Sequence, residues 1–337
     1  MPNKYTEAHK NFDGPGDARP TAQQIIDDEG LVGKMEGKVA LVTGGSSGIG
    51  IPTIKALAST GMRVFATVRN MEKGEKELKD VLAPGKVELI HMDNTSMESV
   101  RAGAKDFLDK SGGKLNILIC NAGVMAVPKV EHTQDGFEMQ FGTNHIAHFL
   151  LFDLVKDAMM KSSTPEFNSR VVTVSSTGHR RAGIRPNSDY SFTEEGSYDP
   201  WVGYGQSKTS NIYMANSIDR LYGSKGIHAL SLHPGGIYTG LQIHVSEKMR
   251  EMWSGPEVQK YFKSVEQGAA TQVYAAVSRD WEGKGGRYLE DCDESPPFDG
   301  KQGVGNPGYA EHAYNKSEED RLWRDSEKFI GAKSSAL

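Results

Sequence analysis

The chain has few of the features that mark a secreted or membrane protein. Its 337 residues include only two cysteines, Cys120 and Cys292, too few for a disulfide framework, and we also predict no metal site. No run of about 18 apolar residues occurs, so we expect no membrane span. Residues 1–20 lack the apolar segment of a secretory signal, and we therefore predict a reduced, cytoplasmic location.

The sequence also lacks a surplus of positive charge. Its 44 acidic residues outnumber the 39 basic ones and no basic run occurs, which argues against a nucleic-acid partner. Hydrophobic residues make up 37% of the chain and charged residues 25%, which excludes a disordered chain, a coiled coil and a collagen. We therefore expect a folded globular protein.

Short apolar runs alternate with helical patterns from residue 38 onward. The runs lack polar alternation, which is typical of strands covered on both faces. Repeated alternation of strand and helix predicts the α/β class, a single Rossmann-type doubly wound parallel sheet of about seven strands with helices on both faces. The predicted strands are 38–43, 62–68, 87–92, 115–120, 170–175, 227–232 and 286–289. The predicted helices are 21–29, 49–59, 71–81, 97–110, 136–160, 202–222, 265–277 and 317–329.

The same pattern divides the chain into three parts. Residues 1–37 form an N-terminal extension, residues 38–290 a nucleotide-binding catalytic domain, and residues 291–337 a C-terminal tail. Residues 237–263 follow the sixth strand and are rich in Met, Trp and Tyr. Because open α/β sheets bind ligands beyond the carboxyl ends of their strands, we interpret this segment as a substrate loop.

A glycine-rich turn joins the first predicted strand to the first helix of the domain. Its glycines allow the backbone to turn tightly and to approach a pyrophosphate, which the amides and dipole at the start of the following helix favour. The strand, turn and helix occur together, which makes the motif specific. The predicted cofactor-binding residues of this turn are Gly44, Ser46, Ser47, Gly48, Ile49 and Gly50.

The ends of the next strands indicate which dinucleotide binds. A carboxylate commonly holds the ribose 2′-hydroxyl there, but this chain has Val68 followed by Arg69. A guanidinium can donate two hydrogen bonds to a phosphate, so we predict NADP(H). Two further strand ends add candidate cofactor-binding residues, namely Asp93, Asn94, Asn121, Ala122 and Gly123.

Tyr204 and Lys208 are spaced to share one face of a helix. A free phenol titrates near about 10, and an adjacent ammonium would lower the pKa of Tyr204 toward neutrality. Two serines end the fifth predicted strand at the same edge of the sheet. A hydroxyl there, of Ser175 or Ser176, could hydrogen-bond to a substrate carbonyl.

Taken together, these motifs resemble the short-chain dehydrogenase/reductase family, over about residues 38 to 290. The similarity is greatest to its retinol-dehydrogenase-like and WW-domain-oxidoreductase-like branch, through Val68-Arg69-Asn70 and the segment 141–149. The resemblance implies that Tyr204 exchanges a proton with the substrate, that Lys208 lowers its pKa and holds the nicotinamide ribose, and that Ser176 steadies the substrate oxygen. It further implies a water-holding Asn144 and a carboxamide-binding turn of Pro234, Gly235, Ile237 and Thr239.

The composition of the substrate loop predicts an apolar substrate. We expect a small hydrophobic ketone or aldehyde and its alcohol, with Met125, His179, Tyr198 and Tyr238 lining the pocket. A solvated loop is an equal alternative for His179. A redox-neutral epimerase or dehydratase and a non-catalytic NADP-binding protein are the alternative functions. We expect a homodimer or homotetramer, although the terminal segments could instead keep the chain monomeric.

Overall fold

An eight-stranded sheet forms the centre of the computed structural model, which describes residues 4–301 and 305–333. The strand order is β3-β2-β1-β4-β5-β6-β7-β8, and all neighbouring pairs are parallel except β7 with β8. The order reverses between β1 and β4, which places a crevice for ligands at the carboxyl edge. The strands are β1 Val39–Thr43, β2 Arg63–Val68, β3 Val87–His91, β4 Ile117–Cys120, β5 Ser169–Val174, β6 Ile227–His233, β7 Arg287–Glu290 and β8 Asp293–Glu294.

Helices cover both faces of this sheet. The helices are α1 Ala22–Asp28, α2 Gly50–Ser59, α3 Met71–Leu78, α4 Met97–Ser111, α5 Met139–Phe141, α6 Ala147–Ser162, α7 Pro200–Tyr222, α8 Glu247–Trp253, α9 Pro256–Tyr261, α10 Val265–Gly268, α11 Ala270–Val277 and α12 Lys316–Ile330. A π-helical turn, Gly142–Ile146, joins α5 to α6. Short 3-10 helices occur at Glu7–His9, Thr177–Arg181, Pro186–Ser188, Gly223–Lys225, Gly240–His244, Arg279–Trp281 and Glu311–Tyr314.

Alternate side chains of the central strands pack into two separate cores. In β1, Ala40 and Val42 join the core formed with α1, α2 and α11. Val39 and Leu41 join the core formed with α4, α6, α7 and α12. All five residues of β1 are buried, which is expected of a central parallel strand with helices on both sides.

The predicted doubly wound sheet is confirmed, with small differences in its elements. All seven predicted strands are present within two residues of their expected ends, and the eighth is a two-residue antiparallel strand that follows β7. The helix predicted at 136–160 contains the π-helical turn, and the one predicted at 265–277 is interrupted at Ala269. Among the described residues, no helix is long and apolar enough to cross a membrane.

Both terminal segments pack against this sheet domain. Ile25 and Ile26 of α1 are fully buried in the core that contains α11, and Thr21 caps α1 through a hydrogen bond from the Gln24 amide. Helix α12 lies on α6 and α7, where Trp323 packs edge-on against Phe149 at 4.8 Å between ring centroids. The proposed division at residues 37 and 290 stays a prediction.

Candidate active site

The sheet brings the sequence motifs to one edge. The glycine turn follows β1, the segment Asn121 to Gly123 follows β4, and Ser176 lies two residues beyond β5. The Pro234–Gly235 turn follows β6 in the same direction, because strands β1 to β7 are parallel. The predicted nucleotide-binding and catalytic residues therefore surround the crevice expected at the reversal of strand order.

The glycine turn is too crowded for side chains at two of its glycines. A Cβ atom on Gly50 would lie 2.2 Å from the carbonyl oxygen of Gly44, and one on Gly44 would lie 3.0 Å from Cα of Ala122. Gly44 and Gly48 have φ angles of +79° and +60°, in the left-handed region. These glycines allow α2 to begin directly against the end of β1, with the backbone of the turn close to the crevice.

Thr43 ties this turn to the neighbouring strand end. Its hydroxyl accepts hydrogen bonds from the amides of Asn121 and Ala122, each at 2.9 Å. The side-chain amide of Asn121 donates to the Thr43 carbonyl at 2.8 Å, while its buried Oδ1 has no hydrogen-bond partner within the described part of the chain. A buried acceptor without a partner is costly, so this atom suits a ligand or water that donates a hydrogen bond.

Arg69 lies exposed at the end of β2, and none of the described residues bonds to its guanidinium. The Asp93 carboxylate has partners close by in the chain, since it accepts hydrogen bonds from the amide and hydroxyl of Thr95. Asn94 donates to Nε2 of His148 at 3.2 Å. Burial lowers the pKa of His148 to about 4, so this histidine is neutral.

The π-helical turn positions Asn144 over the end of β4. Its Oδ1 accepts from the Val124 amide at 2.8 Å, and its Nδ2 donates to the Val124 carbonyl and to Ser207 Oγ. Ser207 in turn donates to the carbonyl of Tyr204. The amide thus contacts the strand end and α7 directly, and the role in holding water stays a prediction.

Tyr204, Ser176 and Lys208 meet below the crevice. The Tyr204 side chain is buried, and the Ser176 side chain lies near enough to its phenol to lower the pKa of that group. Lys208 lies one helical turn further along α7, with Nζ 5.5 Å from the centre of the Tyr204 ring and 2.9 Å from the Val174 carbonyl. Ser175 instead donates to the backbone carbonyl of Lys208, so only the second serine faces the phenol.

The predicted lowering of the tyrosine pKa is not found in the protein alone and stays a prediction for the site with its cofactor bound. Burial raises the pKa of Tyr204 to about 12, although the Ser176 side chain opposes this rise. Burial also lowers the pKa of Lys208 to about 8, because the ammonium is removed from water. The phenol is therefore protonated at neutral pH, which is the form that donates a proton.

The loop after Ser176 is held by the C-terminal tail. Nε2 of His179 accepts a hydrogen bond from the Ala310 amide at 3.0 Å, so the other ring nitrogen carries the proton and donates to the Ser176 carbonyl at 2.6 Å. Burial lowers the pKa of His179 to about 3, which keeps the ring neutral. Both ring nitrogens of this predicted substrate-lining residue are thus bonded to backbone. Arg180 donates to the carbonyls of Gly308 and Asn306, so neither side chain is part of a solvated loop.

The substrate loop crosses the glycine turn. A Cβ on Gly48 would meet Thr239 at 3.5 Å, and the Ile237 side chain packs close to Gly268 and is buried. Beneath the Pro234–Gly235 turn, Lys263 forms a 2.7 Å ion pair with Asp291, whose pKa falls to about 2 through the lysine. Sequence reasoning missed this pair, because Lys263 and Asp291 lie 28 residues apart and no local pattern joins them.

An apolar cluster, which we call the pocket cluster, covers Tyr204. Of the predicted lining residues, Met125 belongs to it, whereas Tyr198 donates to the Val127 carbonyl and Tyr238 stacks on Phe262 at 4.0 Å. The non-glycine residue Ala126 has a φ of +54°, a strained conformation of the kind found at functional sites. The pocket cluster consists of Met125, Ala126, Trp201, Tyr204, Leu241, Val245, Met249 and Trp253.

Known proteins are similar to this chain in both sequence and fold. A family model described as short chain dehydrogenase matches residues 38–250. The short-chain dehydrogenase/reductase prx1 of Penicillium roqueforti is 49% identical, over 97% of this chain and 95% of that protein. Retinol dehydrogenase 11 of Mus musculus is 36% identical, over 77% and 79%. A crystal structure of an uncharacterised Mycobacterium paratuberculosis protein aligns with a TM-score of 0.67 at 29% identity, over 91% and 98%.

Proposed function

Since the chain belongs to the short-chain dehydrogenase/reductase family, in its retinol-dehydrogenase-like branch, we propose that it is an NADP(H)-dependent oxidoreductase that interconverts a hydrophobic ketone or aldehyde and its alcohol. One observation carries the proposal. The Tyr204 hydroxyl, near the Ser176 side chain and one helical turn from Lys208, lies beneath an apolar cover at the edge of the sheet that holds the glycine turn. Proton exchange and an apolar substrate fit this arrangement.

The residues around the crevice fit a nicotinamide dinucleotide. The glycines keep the turn tight against the strand end, which would let its backbone amides bind a pyrophosphate, and the buried Oδ1 of Asn121 needs a hydrogen-bond donor. The exposed Arg69 suits a 2′-phosphate, because no carboxylate stands at the end of β2. When bound, NADPH supplies the hydride that reduces the carbonyl carbon, and NADP⁺ accepts it in the reverse reaction. Further binding residues in this proposal are Gly44, Ser46, Ser47, Gly48, Ile49, Gly50, Asp93, Asn94, Ala122, Gly123, Pro234, Gly235, Ile237 and Thr239.

In reduction, the Tyr204 hydroxyl would donate its proton to the substrate carbonyl oxygen. Ser176, whose side chain lies near that hydroxyl, would orient the same oxygen. A charged Lys208 would stabilise the phenolate that remains, which then regains a proton from solvent. The raised pKa of the phenol supports reduction as the direction to assay first at neutral pH.

The pocket cluster supports an apolar substrate. Two of its members, Trp201 and Trp253, have ring centroids 6.4 Å apart, and Trp201 lies edge-on to Tyr204 at 6.2 Å. Aromatic and methionine side chains of this kind favour large apolar molecules over small polar ones. One of the relatives, retinol dehydrogenase 11, is named for an apolar alcohol, which agrees with an apolar substrate for this chain.

The expected location, partners and oligomeric state of the enzyme also belong to the proposal. They are a cytoplasmic location, the absence of a nucleic-acid partner and a homodimer or homotetramer. In the part of the chain that the structure describes, no group of three or more metal-ligating side chains lies together. The proposed chemistry uses protein hydroxyls and an ammonium, which need no metal.

The test removes a single oxygen atom from the site. We expect Tyr204→Phe to lower kcat for NADPH-dependent reduction of 2-decalone by about 100-fold or more, with an NADPH Kd within about threefold of the original. Tyr222→Phe makes the same change at the far end of α7 and should leave kcat unaltered. Near-normal turnover by Tyr204→Phe would exclude this proton donor. Substrate turnover without net change in nicotinamide absorbance would instead indicate an epimerase or dehydratase.

A further inference from the structure

The segment of residues 12–19, which we call the N-terminal strap, runs against the far end of the substrate loop. At its centre Arg19 is only 3% exposed, although arginine is usually a surface residue. Its Nη1 donates to the Tyr261 carbonyl at 2.7 Å, and its Nη2 donates to the carbonyls of Phe262 and Lys260 at 2.8 and 3.2 Å. One guanidinium therefore holds three consecutive carbonyls at the end of α9.

These carbonyls are groups that a helix leaves without internal partners, and a cation at a helix C-terminus is favourable. The charge of Arg19 is balanced within the strap, because Asp17 forms a 2.8 Å ion pair with it. The result is a buried guanidinium whose donors are used by the loop, by the Asp17 carboxylate and by the Gly14 carbonyl of the strap itself. Such a group fixes the relative position of the two segments, because leaving any of its donors unpaired would be costly.

Further contacts continue this connection on both sides of Arg19. The Gly14 amide donates to the Lys260 carbonyl at 2.8 Å, and the Phe12 ring meets the Tyr261 ring edge-on at 5.8 Å. Gln267, just beyond the loop, donates to the Arg19 carbonyl at 2.9 Å and accepts from the Gly16 amide at 2.9 Å. The strap is thus bonded to the loop through both backbone and side chains.

The residues held by Arg19 lead directly to the pocket. The Tyr261 hydroxyl and Nε2 of His233 are hydrogen-bonded at 3.1 Å, next to the Pro234–Gly235 turn. The Phe262 ring lies 6.3 Å from that of Trp253, a member of the pocket cluster. A shift of the Lys260–Phe262 carbonyls would therefore move the aromatic side chains that cover Tyr204.

We propose that the N-terminal strap fixes the wall of the substrate pocket and that Arg19 is a specificity-determining positioning residue. The inference rests on the proposed function, since the pocket is taken to bind an apolar carbonyl compound. Arg19 touches neither the proposed proton donor nor the glycine turn. Its loss should therefore weaken substrate binding more than cofactor binding.

Hydrogen exchange tests the physical part of the proposal independently of activity. In Arg19→Met of the full chain, we expect amides of residues 256–263 to exchange about tenfold faster or more, because charge-assisted bonds to the loop are lost. The matched control is Arg220→Met, which removes ion pairs to Glu319 and Asp320 of α12 and should accelerate exchange in α12 but not in the loop. Unaltered exchange of residues 256–263 in Arg19→Met would overturn the proposal.

Steady-state kinetics test the functional part. With 2-decalone as the probe, Arg19→Met should raise KM about tenfold, while kcat and the NADPH Kd change less than about twofold. Arg19→Lys keeps the positive charge but loses the planar set of N–H donors, so this variant should have an intermediate KM. If the loop amides of Arg19→Met exchange faster but its KM is unaltered, Arg19 has no role in substrate specificity.

Two further results separate failure of the strap from failure of the enzyme assignment. If the unmodified protein reduces no apolar carbonyl compound, the proposed function fails and the role of Arg19 in specificity falls with it, whatever the exchange result. If Arg19→Met does not fold, Phe12→Ala loosens the same contact through the Tyr261 ring and should give the same two changes to a smaller extent. Its failure to alter either exchange or KM would count against the strap.

Discussion

Gly50→Ala should weaken NADPH binding by deforming the glycine turn. The added Cβ would lie 2.2 Å from the Gly44 carbonyl oxygen, whereas non-bonded heavy atoms prefer about 3.5 Å or more, so turn and helix would have to separate by about 1 Å. That oxygen belongs to the backbone and cannot rotate away. Overpacking of this kind costs about 1–3 kcal/mol. If the whole of this free energy appears as weaker binding by the displaced turn, the NADPH Kd rises about 5- to 150-fold.

The assay is a fluorescence titration with NADPH, combined with a thermal unfolding curve for each variant. Gly223→Ala is the control, because it lies in helical conformation at the end of α7 and its Cβ would meet nothing closer than 3.4 Å. We expect that control to bind NADPH normally. An unaltered Kd and an unaltered unfolding temperature in Gly50→Ala would refute the reasoning, because the clash would then be relieved without moving the proposed phosphate-binding backbone.

Three other predictions concern the cofactor, the proton and the fold. Arg69→Ala should raise the NADPH Kd about tenfold and leave that for NADH unaltered, and a constant ratio in paired titrations would contradict NADP(H) preference. The kcat/KM for 2-decalone reduction should be level below about pH 8 and fall above it, because Lys208 then loses its charge, and a level profile across that range would contradict this role. Trp323→Ala should lower the free energy of unfolding in urea by about 3–5 kcal/mol, because a buried indole is lost against Phe149, and a change below about 1 kcal/mol would contradict that packing.

The parallel sheet was predictable because its signals are local. Central strands such as β1 and β4 are short apolar runs, and turns or helices follow at once, so no distant contact is needed to recognise them. The glycine turn was predictable for the same reason, since strand, turn and helix adjoin in the chain. The two-residue β8 was missed because a strand so short has no periodicity to detect.

The candidate site was less predictable where long-range contacts decide it. The spacing of Tyr204 and Lys208 predicts their shared helix face, but it carries no information on burial, which sets the pKa of both groups. The π-helical turn around Asn144 depends on contacts with the end of β4 rather than on its own sequence. His179 likewise resembled a loop residue, because its partner at Ala310 lies 131 residues away.

The two walls of the pocket are held by opposite ends of the chain. On one side, Ala310 and His179 fix the carbonyl of Ser176, and on the other, Arg19 fixes the end of the substrate loop from 242 residues away. Both supporting segments lie outside the region that matches the family model, whereas Ser176, Tyr204 and Lys208 lie inside it. The shared core can therefore keep the proton-transfer residues in place while the terminal segments alter the walls. On this reasoning, substrate choice among related chains should follow differences in the termini as well as in the substrate loop.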